Sequence, residues 1–363
     1  MSPVSAPSPQ GLDELDVVAH QLVSDLHTAR AAVFWTDLLA SAVLGWGAFG
    51  FALASVPWSA SMLAATVVAA LALYRCLCFI HEITHLRRQS LPGFETAWNL
   101  LVGVPLLLPT FAYVGVHQSH HALSTYGTRD DPEYLPFASS RVLIFVFALQ
   151  SSLLIPVILL LRFVVLAPVG LVWPRFHRWL EANASSFAMN PAYRRAVPPS
   201  MAQTMRRWEA TVLVAWAGLL GAIYGAVLPV RALPLWFGVL VIISFLNTLR
   251  VLGAHEYESD GTIRDRQGQL IDTIDTPGGP WSALWAPVGL RYHALHHYFP
   301  GIPYHNLGTA YRRIVGLPAG SIYRGFSSPS LWHSLTSLYL KARAAGLCGR
   351  DALMKAEAFR RPN

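Results

Sequence analysis

The chain has 363 residues, of which 53% are hydrophobic and only 13% charged, with a formal charge of +7. Soluble domains carry roughly 25% charged residues, so the composition excludes an ordinary soluble domain and indicates an integral membrane protein. The basic excess is almost all arginine, with lysine only at Lys341 and Lys355. It fits loops on the cytoplasmic side and anionic lipid headgroups, and no basic run with interleaved aromatics points to a nucleic-acid partner.

In residues 12–30, Leu12, Leu15, Val18, Leu22 and Leu26 recur three or four apart between acidic residues, the pattern of an amphipathic helix lying on the membrane surface. Val33–Val56 and Trp58–Ile80 are each long enough to span a bilayer, and the break at Pro57 makes them a hairpin. Ala97–Val116 is apolar but interrupted by Gly103, Pro105 and Pro109, which predicts a re-entrant or surface segment covered by other protein. Val142–Trp173 is long for one span and short for two, is broken at Pro156 and Pro168, and is expected to leave and rejoin the same side. An arginine-rich stretch to residue 208 follows and reads as cytoplasmic. Ala210–Val230 and Ala232–Leu252 form a second hairpin, residues 256–280 a polar cap, and 306–363 a mixed amphipathic region. The three cysteines, Cys76, Cys78 and Cys348, supply no disulfide framework. The expected organisation is an N-terminal segment 1–32, a membrane domain 33–305 and a C-terminal region 306–363. The expected fold is all-α: a four-helix transmembrane bundle of two hairpins with re-entrant or interfacial helices and a cytoplasmic cap.

Nine of the 14 histidines abut the apolar runs. They are His81-Glu-Ile-Thr-His85, His117-Gln-Ser-His120-His121, His293-Ala-Leu-His296-His297 and the lone His255. Histidines three or four apart share a helix face and grip one metal, whereas adjacent ones diverge by ~100° and suit two metals. The set therefore reads as a polynuclear metal site at a bilayer surface. His20, His27, His177 and His333 are isolated and read as interfacial or solvated. Metal-bound imidazoles usually donate their second N–H to a carboxylate or carbonyl. Candidates for that role are Glu82, Asp130, Asp131, Glu133 and Glu256, with Asp131 and Glu256 best placed, and His305 is a further candidate.

These boxes resemble those of the membrane fatty-acid desaturases and hydroxylases, the histidine-box di-iron enzymes, over residues 33–310. The resemblance rests on HEITH, on HQSHH followed by Asp131-Pro132, and on HALHH followed by Phe299-Pro300 and Ile302-Pro303-Tyr304. It implies two Fe ions held by His81, His85, His117, His120, His121, His255, His293, His296 and His297 at the cytoplasmic ends of a membrane bundle. In a bacterium that membrane would be the inner one. Some members place an asparagine four residues before the lone histidine; here that position is Val251, and Asn247 is eight residues before His255, ~12 Å away along a helix. Nine histidines then give five ligands to one iron and four to the other, the remaining position being open or filled by water or a carboxylate.

The implied reaction uses O2 to abstract hydrogen from a long-chain fatty acid, acyl lipid or thioester, with membrane lipids around it. Desaturation ranks first; hydroxylation and oxidative decarboxylation to a terminal alkene are alternatives. Arg250 and Arg291 are weak candidates for a substrate headgroup. The chain has no Rossmann fingerprint and no iron–sulfur cysteine set, so electrons must come from an external donor such as ferredoxin and its reductase, docking on the arginine-rich face. A rival reading from another class is a membrane zinc metalloprotease, since His81–His85 is also HExxH with Glu82 as base. A catalytic zinc needs only three protein ligands, which leaves six clustered histidines without a purpose.

Overall fold

The computed structural model describes residues 9–347 apart from Arg88 and Ala319, with side chains from Leu15 onward. Cys348 and the rest of 348–363 lie outside the described residues. The architecture is all-helical. Helix α1 spans Pro9–Leu22, α2 Ala31–Ala54 and α3 Ala60–His85. Helix α4 is the short Val116–His121, and α5 is the long Arg141–Val172. They are followed by α6 Pro174–Asn183, α7 Pro199–Tyr224 and α8 Ala232–Leu252. Beyond the membrane body come α9 Arg266–Asp272, α10 His293–Tyr298, α11 Tyr304–Val315 and α12 Leu331–Leu347.

The first hairpin forms as its sequence predicts. Ser59 caps α3 by accepting from Met62 N at 3.2 Å. The two helices approach closely at Gly45, where a Cβ would stand 2.8 Å from the Leu73 side chain. The charged pair inside this apolar hairpin is matched: Arg75 donates from Nε to Asp37 Oδ1 at 2.7 Å and from Nη2 to Oδ2 at 2.5 Å. Below the histidine end, Phe34, Phe79, Phe94 and Tyr304 pack edge to face. Each such buried ring contributes ~1.5–3 kcal/mol.

The interrupted segment after α3 is re-entrant in form. Its broken backbone is covered by protein, and its free carbonyls are met by indoles. Trp46 donates to Leu101 O (2.8 Å), Trp216 on α7 to Val104 O (3.2 Å) and Trp236 on α8 to Pro105 O (2.9 Å). Asn99 adds bonds to Thr110 N and Oγ1. In a medium without water these donors are what makes the irregular stretch tolerable. The segment starts after His85 and ends at His117, so both boxes fall at one end of the bundle.

Two expectations about the membrane segments change. Residues 142–173 are not broken: α5 is one 32-residue helix, its ladder widened into π turns at Gln150–Leu154 and Leu161–Leu166. Pro156 and Pro168 each sit in the first turn after one of these, where the missing N–H leaves the ladder intact. The return to the histidine end is made by α6, which folds back on α5; a Cβ on Gly170 would stand 3.0 Å from Leu180, and Phe187 N then donates to Ala112 O at 2.8 Å. Among the described residues, four helices are long and apolar enough to cross a bilayer: α2, α3, α5 and α8. Helix α7, the first arm of the expected second hairpin, is not among them because it carries Arg206, Arg207 and Glu209 in its first half.

Helix α1 does not spend its apolar face on lipid. Leu15, Ala19, Val23 and Leu26 are buried against Tyr298, Phe299, Ile302 and Leu307, and Asn306 Nδ2 donates to Leu26 O at 2.8 Å. The N-terminal segment is thereby a strap over the third histidine box.

Candidate metal centre

Each box is aimed by a local device. His81 and His85 occupy the last two turns of α3, where Glu82 accepts from Tyr304 N at 2.9 Å and ties the helix end to the loop after α10. His117, His120 and His121 lie on α4, entered through Gly115 at φ +87°; a Cβ there would stand 3.3 Å from Arg195 Nη2 and in a backbone region that favours glycine. His255 follows α8 and pairs with Thr273. Helix α10 carries His293, His296 and His297, and its first turn is fixed by Asp275, whose Oδ1 accepts from Leu295 N at 3.1 Å while Oδ2 accepts from Tyr323 Oη at 2.8 Å.

The fold brings all nine histidines into two groups. His81, His85, His117, His121 and His296 form one; His120, His255, His293 and His297 form the other, and within each group the ligand atoms all lie within 4.8 Å of one another. Nε2 atoms face one another at 3.0 Å (His117–His121), 3.1 Å (His121–His296) and 2.8 Å (His255–His293). Nitrogens ~2.1 Å from a common cation and at right angles to each other would stand ~3.0 Å apart. Several further ring nitrogens are buried without a hydrogen-bond partner, among them both of His81, both of His297 and one each of His85, His293 and His296. Buried polar atoms are ordinarily satisfied, so this donor set fits two cations bound to neutral imidazoles.

The outer nitrogens of the cluster are held by a second ring of groups. His120 Nδ1 contacts both oxygens of Asp131 at 2.9 and 3.0 Å, and Asp131 is itself fixed by Gly127 N and Glu133 N. His117 Nδ1 meets Glu133 Oε1 at 3.0 Å and Tyr113 Oη at 2.9 Å. Tyr126 Oη donates to Asp272 Oδ2 at 2.9 Å and contacts His255 Nδ1 at 3.0 Å; since its one proton goes to the carboxylate, His255 Nδ1 donates and Nε2 is left for a metal. Burial keeps His117, His121, His255 and the three histidines of α10 below the ordinary imidazole range, in the neutral form that binds metal. His120 differs: burial pushes it down, but Asp131 overrides this and holds it above the ordinary value. Burial raises Glu133 to about 7, against the pull of His120.

The other expected residues are placed as follows. Glu256 turns away from the histidines and meets Lys341 Nζ at 2.5 Å. Asp130 is exposed. His305 accepts from Arg30 N at 3.2 Å and contacts Asn306 Oδ1 at 3.0 Å, serving the N-terminal strap. Arg291 lies over the ring of Tyr292 at 4.9 Å. Arg250 donates to Asn247 Oδ1 from Nε at 3.2 Å and Nη2 at 3.0 Å. His177 is not solvated: it is buried, with Nε2 3.0 Å from Glu209 and Nδ1 3.1 Å from Glu181. Arg195 is likewise a buried stitch, donating to Phe111 O, Ser185 O and Val114 O. Asp272, Asp275 and Tyr126 escape sequence reading, because no short spacing links them to the histidines they serve.

Four apolar helices with nine histidines gathered at one end, seven of them buried, define a membrane enzyme built to hold metal. The model of the fatty acid desaturase family matches residues 57–324, and the chain belongs to that family. It is also 40% identical over 336 residues to a ceramide hydroxylase of Caulobacter vibrioides, an alignment covering 90% of this chain and 93% of that protein. The family sets aside the zinc-protease reading, and Glu82, which that reading needed as a base, is committed to Tyr304 N.

Proposed function

We propose that the protein is a di-iron hydroxylase acting on a hydrocarbon chain of ceramide or a close sphingolipid. The observation that carries this reading is the 40% identity, spread over nearly both full lengths, to a ceramide hydroxylase. It moves the preferred outcome from desaturation, favoured from sequence on family frequency, to hydroxylation.

His81, His85, His117, His121 and His296 would hold one iron and His120, His255, His293 and His297 the other. When bound, the irons supply O2 reduction and oxidation of an unactivated C–H bond, which no side-chain acid or base performs. The balance is one C–H bond, one O2, two electrons and two protons giving one C–OH and one water. The chain supplies positioning: Asp131, Glu133 and the Tyr126–Asp272 pair hold the outer imidazole nitrogens and turn the inner ones to the metals. Burial of seven of the nine histidines keeps bulk water from the reacting carbon. The electrons come from an external acidic redox protein. Arg175, Arg178, Arg194, Arg206 and Arg207 are all exposed, and those at the histidine end would offer the basic surface that such a donor meets. Turnover that is insensitive to ionic strength would overturn that docking.

The test is mass spectrometry of products from the purified protein given ceramide, an electron donor and isotopically labelled O2. Hydroxylation adds one labelled oxygen. Loss of two hydrogens without oxygen returns the assignment to desaturation, and loss of CO2 from a free acid to decarboxylation.

A further inference from the structure

Arg75, Arg162 and Arg250 lie inside the apolar helices. The first two are matched. Arg75 is bidentate on Asp37, and Arg162 bonds Glu209 and the Ala184 carbonyl. Arg250 is not: it donates to Asn247 Oδ1 and meets the Tyr74 hydroxyl, and among the described residues no carboxylate stands within ion-pair distance. An ionic group at membrane depth is costly and faces a partner or a cavity. Arg250 and Asn247 are both only partly buried, whereas Arg162 is sealed. A guanidinium has five N–H donors, and two here are spent on one amide oxygen.

The placement bears on the metal centre. Arg250 stands in the last turn of α8, five residues before His255 in the chain, with Tyr74 and Tyr113 around it. Beside it, Tyr113 Oη bonds both His117 and Glu133. This corner therefore presents unspent donors next to a carboxyl acceptor, in an otherwise apolar wall. A carboxylate ligand would meet Glu133 as well as Arg250. A neutral group with a carbonyl and neighbouring N–H or O–H groups would suit both.

We propose that Arg250, oriented by Asn247, donates to the amide carbonyl of an N-acylated sphingoid lipid and so fixes which carbon stops at the metals. This rests on the ceramide reading above and adds the recognition point to it. It also implies that the oxidised carbon lies within the first several carbons from the amide rather than near the chain end.

The test compares C16 ceramide with its N-alkyl analogue, which lacks the carbonyl, using the full-length protein in nanodiscs. Equilibrium binding and the position of hydroxylation are measured for wild type, Arg250→Met and Arg250→Lys. Wild type should prefer ceramide by ~10–100-fold, the loss of a charge-assisted hydrogen bond. Arg250→Met should bind both lipids alike and scatter the hydroxyl over neighbouring carbons, with Arg250→Lys between the two. Undiminished preference and a single unchanged position in Arg250→Met overturn the proposal, as does equal binding of the two lipids by wild type. If Arg250→Met does not fold, an unchanged preference in both Arg250→Lys and Asn247→Ala overturns it equally. Wild type that binds neither lipid and gives no ceramide product overturns the ceramide reading instead.

Discussion

Two sets of buried charged and titratable side chains lie in the apolar body of this protein, and they differ in what their atoms touch. In the first, Glu209 on α7 joins Arg162 on α5 to His177 on α6, while Arg162 Nε bonds Ala184 O and Glu181 closes on His177. Opposite charges are adjacent, and the set ties three helices together. In the second, nine imidazoles converge with many inner nitrogens facing one another or nothing, while carboxylates hold the outside. A set in which each charge meets an opposite one is a structural tie, even with Arg162 Nη1 left without a hydrogen bond. One whose Nε2 atoms converge on one another while carboxylates hold the outer nitrogens of His117 and His120 is arranged around something added later.

The contrast breaks most sharply at His120. His120→Ala should abolish hydroxylation and lower the iron bound from about two per chain, while the protein stays folded in the membrane. Full turnover in that variant would remove His120 from the ligand set. Glu209→Ala should act in the opposite sense. Removing one partner of a buried pair leaves an uncompensated charge and costs about 3–5 kcal/mol, so the thermal midpoint should fall steeply. Iron per folded chain should stay unchanged, and loss of iron without loss of stability would make the tie part of the metal centre.

Asp131→Asn probes the boundary between the two kinds. It keeps the size of the side chain but replaces one acceptor oxygen with a donor amide beside His120 Nδ1. Loss of such an outer partner typically costs 10–100-fold in metal affinity or activity, and iron titration with turnover would read it. A smaller effect is expected at Asp275, which burial raises to about 7. Its folded value exceeds its unfolded one, so its stabilising share is full below about 4 and is lost as the pH rises towards 7. Asp275→Asn should flatten the fall in thermal midpoint over that window; an unchanged slope would show the carboxyl is ionised throughout.

These two sets were unequally legible in the sequence. The nine histidines stand out because ligands on one helix turn must be close in sequence, and Asp131 follows His121 by ten residues. Glu133, twelve residues beyond His121, lay within the same reach, whereas Glu82, also singled out, accepts from Tyr304 N instead of an imidazole. Asp272 was hidden because it meets His255, through Tyr126 and directly at 3.6 Å, across a polar stretch whose fold is set by tertiary contacts. Glu256 misled because adjacency to His255 says nothing about direction: successive residues in extended backbone point to opposite sides. His177 misled for the complementary reason, since its partner Glu209 belongs to another helix. The π turns of α5 and the indole donors that cover residues 101–105 were also invisible, although the prolines and glycine that require them were not.

Glu256 supplies the smallest expected effect and the cleanest control. It pairs with Lys341, which also lies 3.2 Å from Glu258, and all three side chains are about one-third to one-half exposed. Solvent screens such a pair, and exposed ion pairs contribute about 0–1 kcal/mol. Glu256→Gln should therefore leave iron content and turnover near wild type and move the thermal midpoint by at most a few degrees. If it instead lost iron as Asp131→Asn is expected to, sequence adjacency to His255 would matter after all. The outer ring around the second cluster would then have to include a group that the fold turns away.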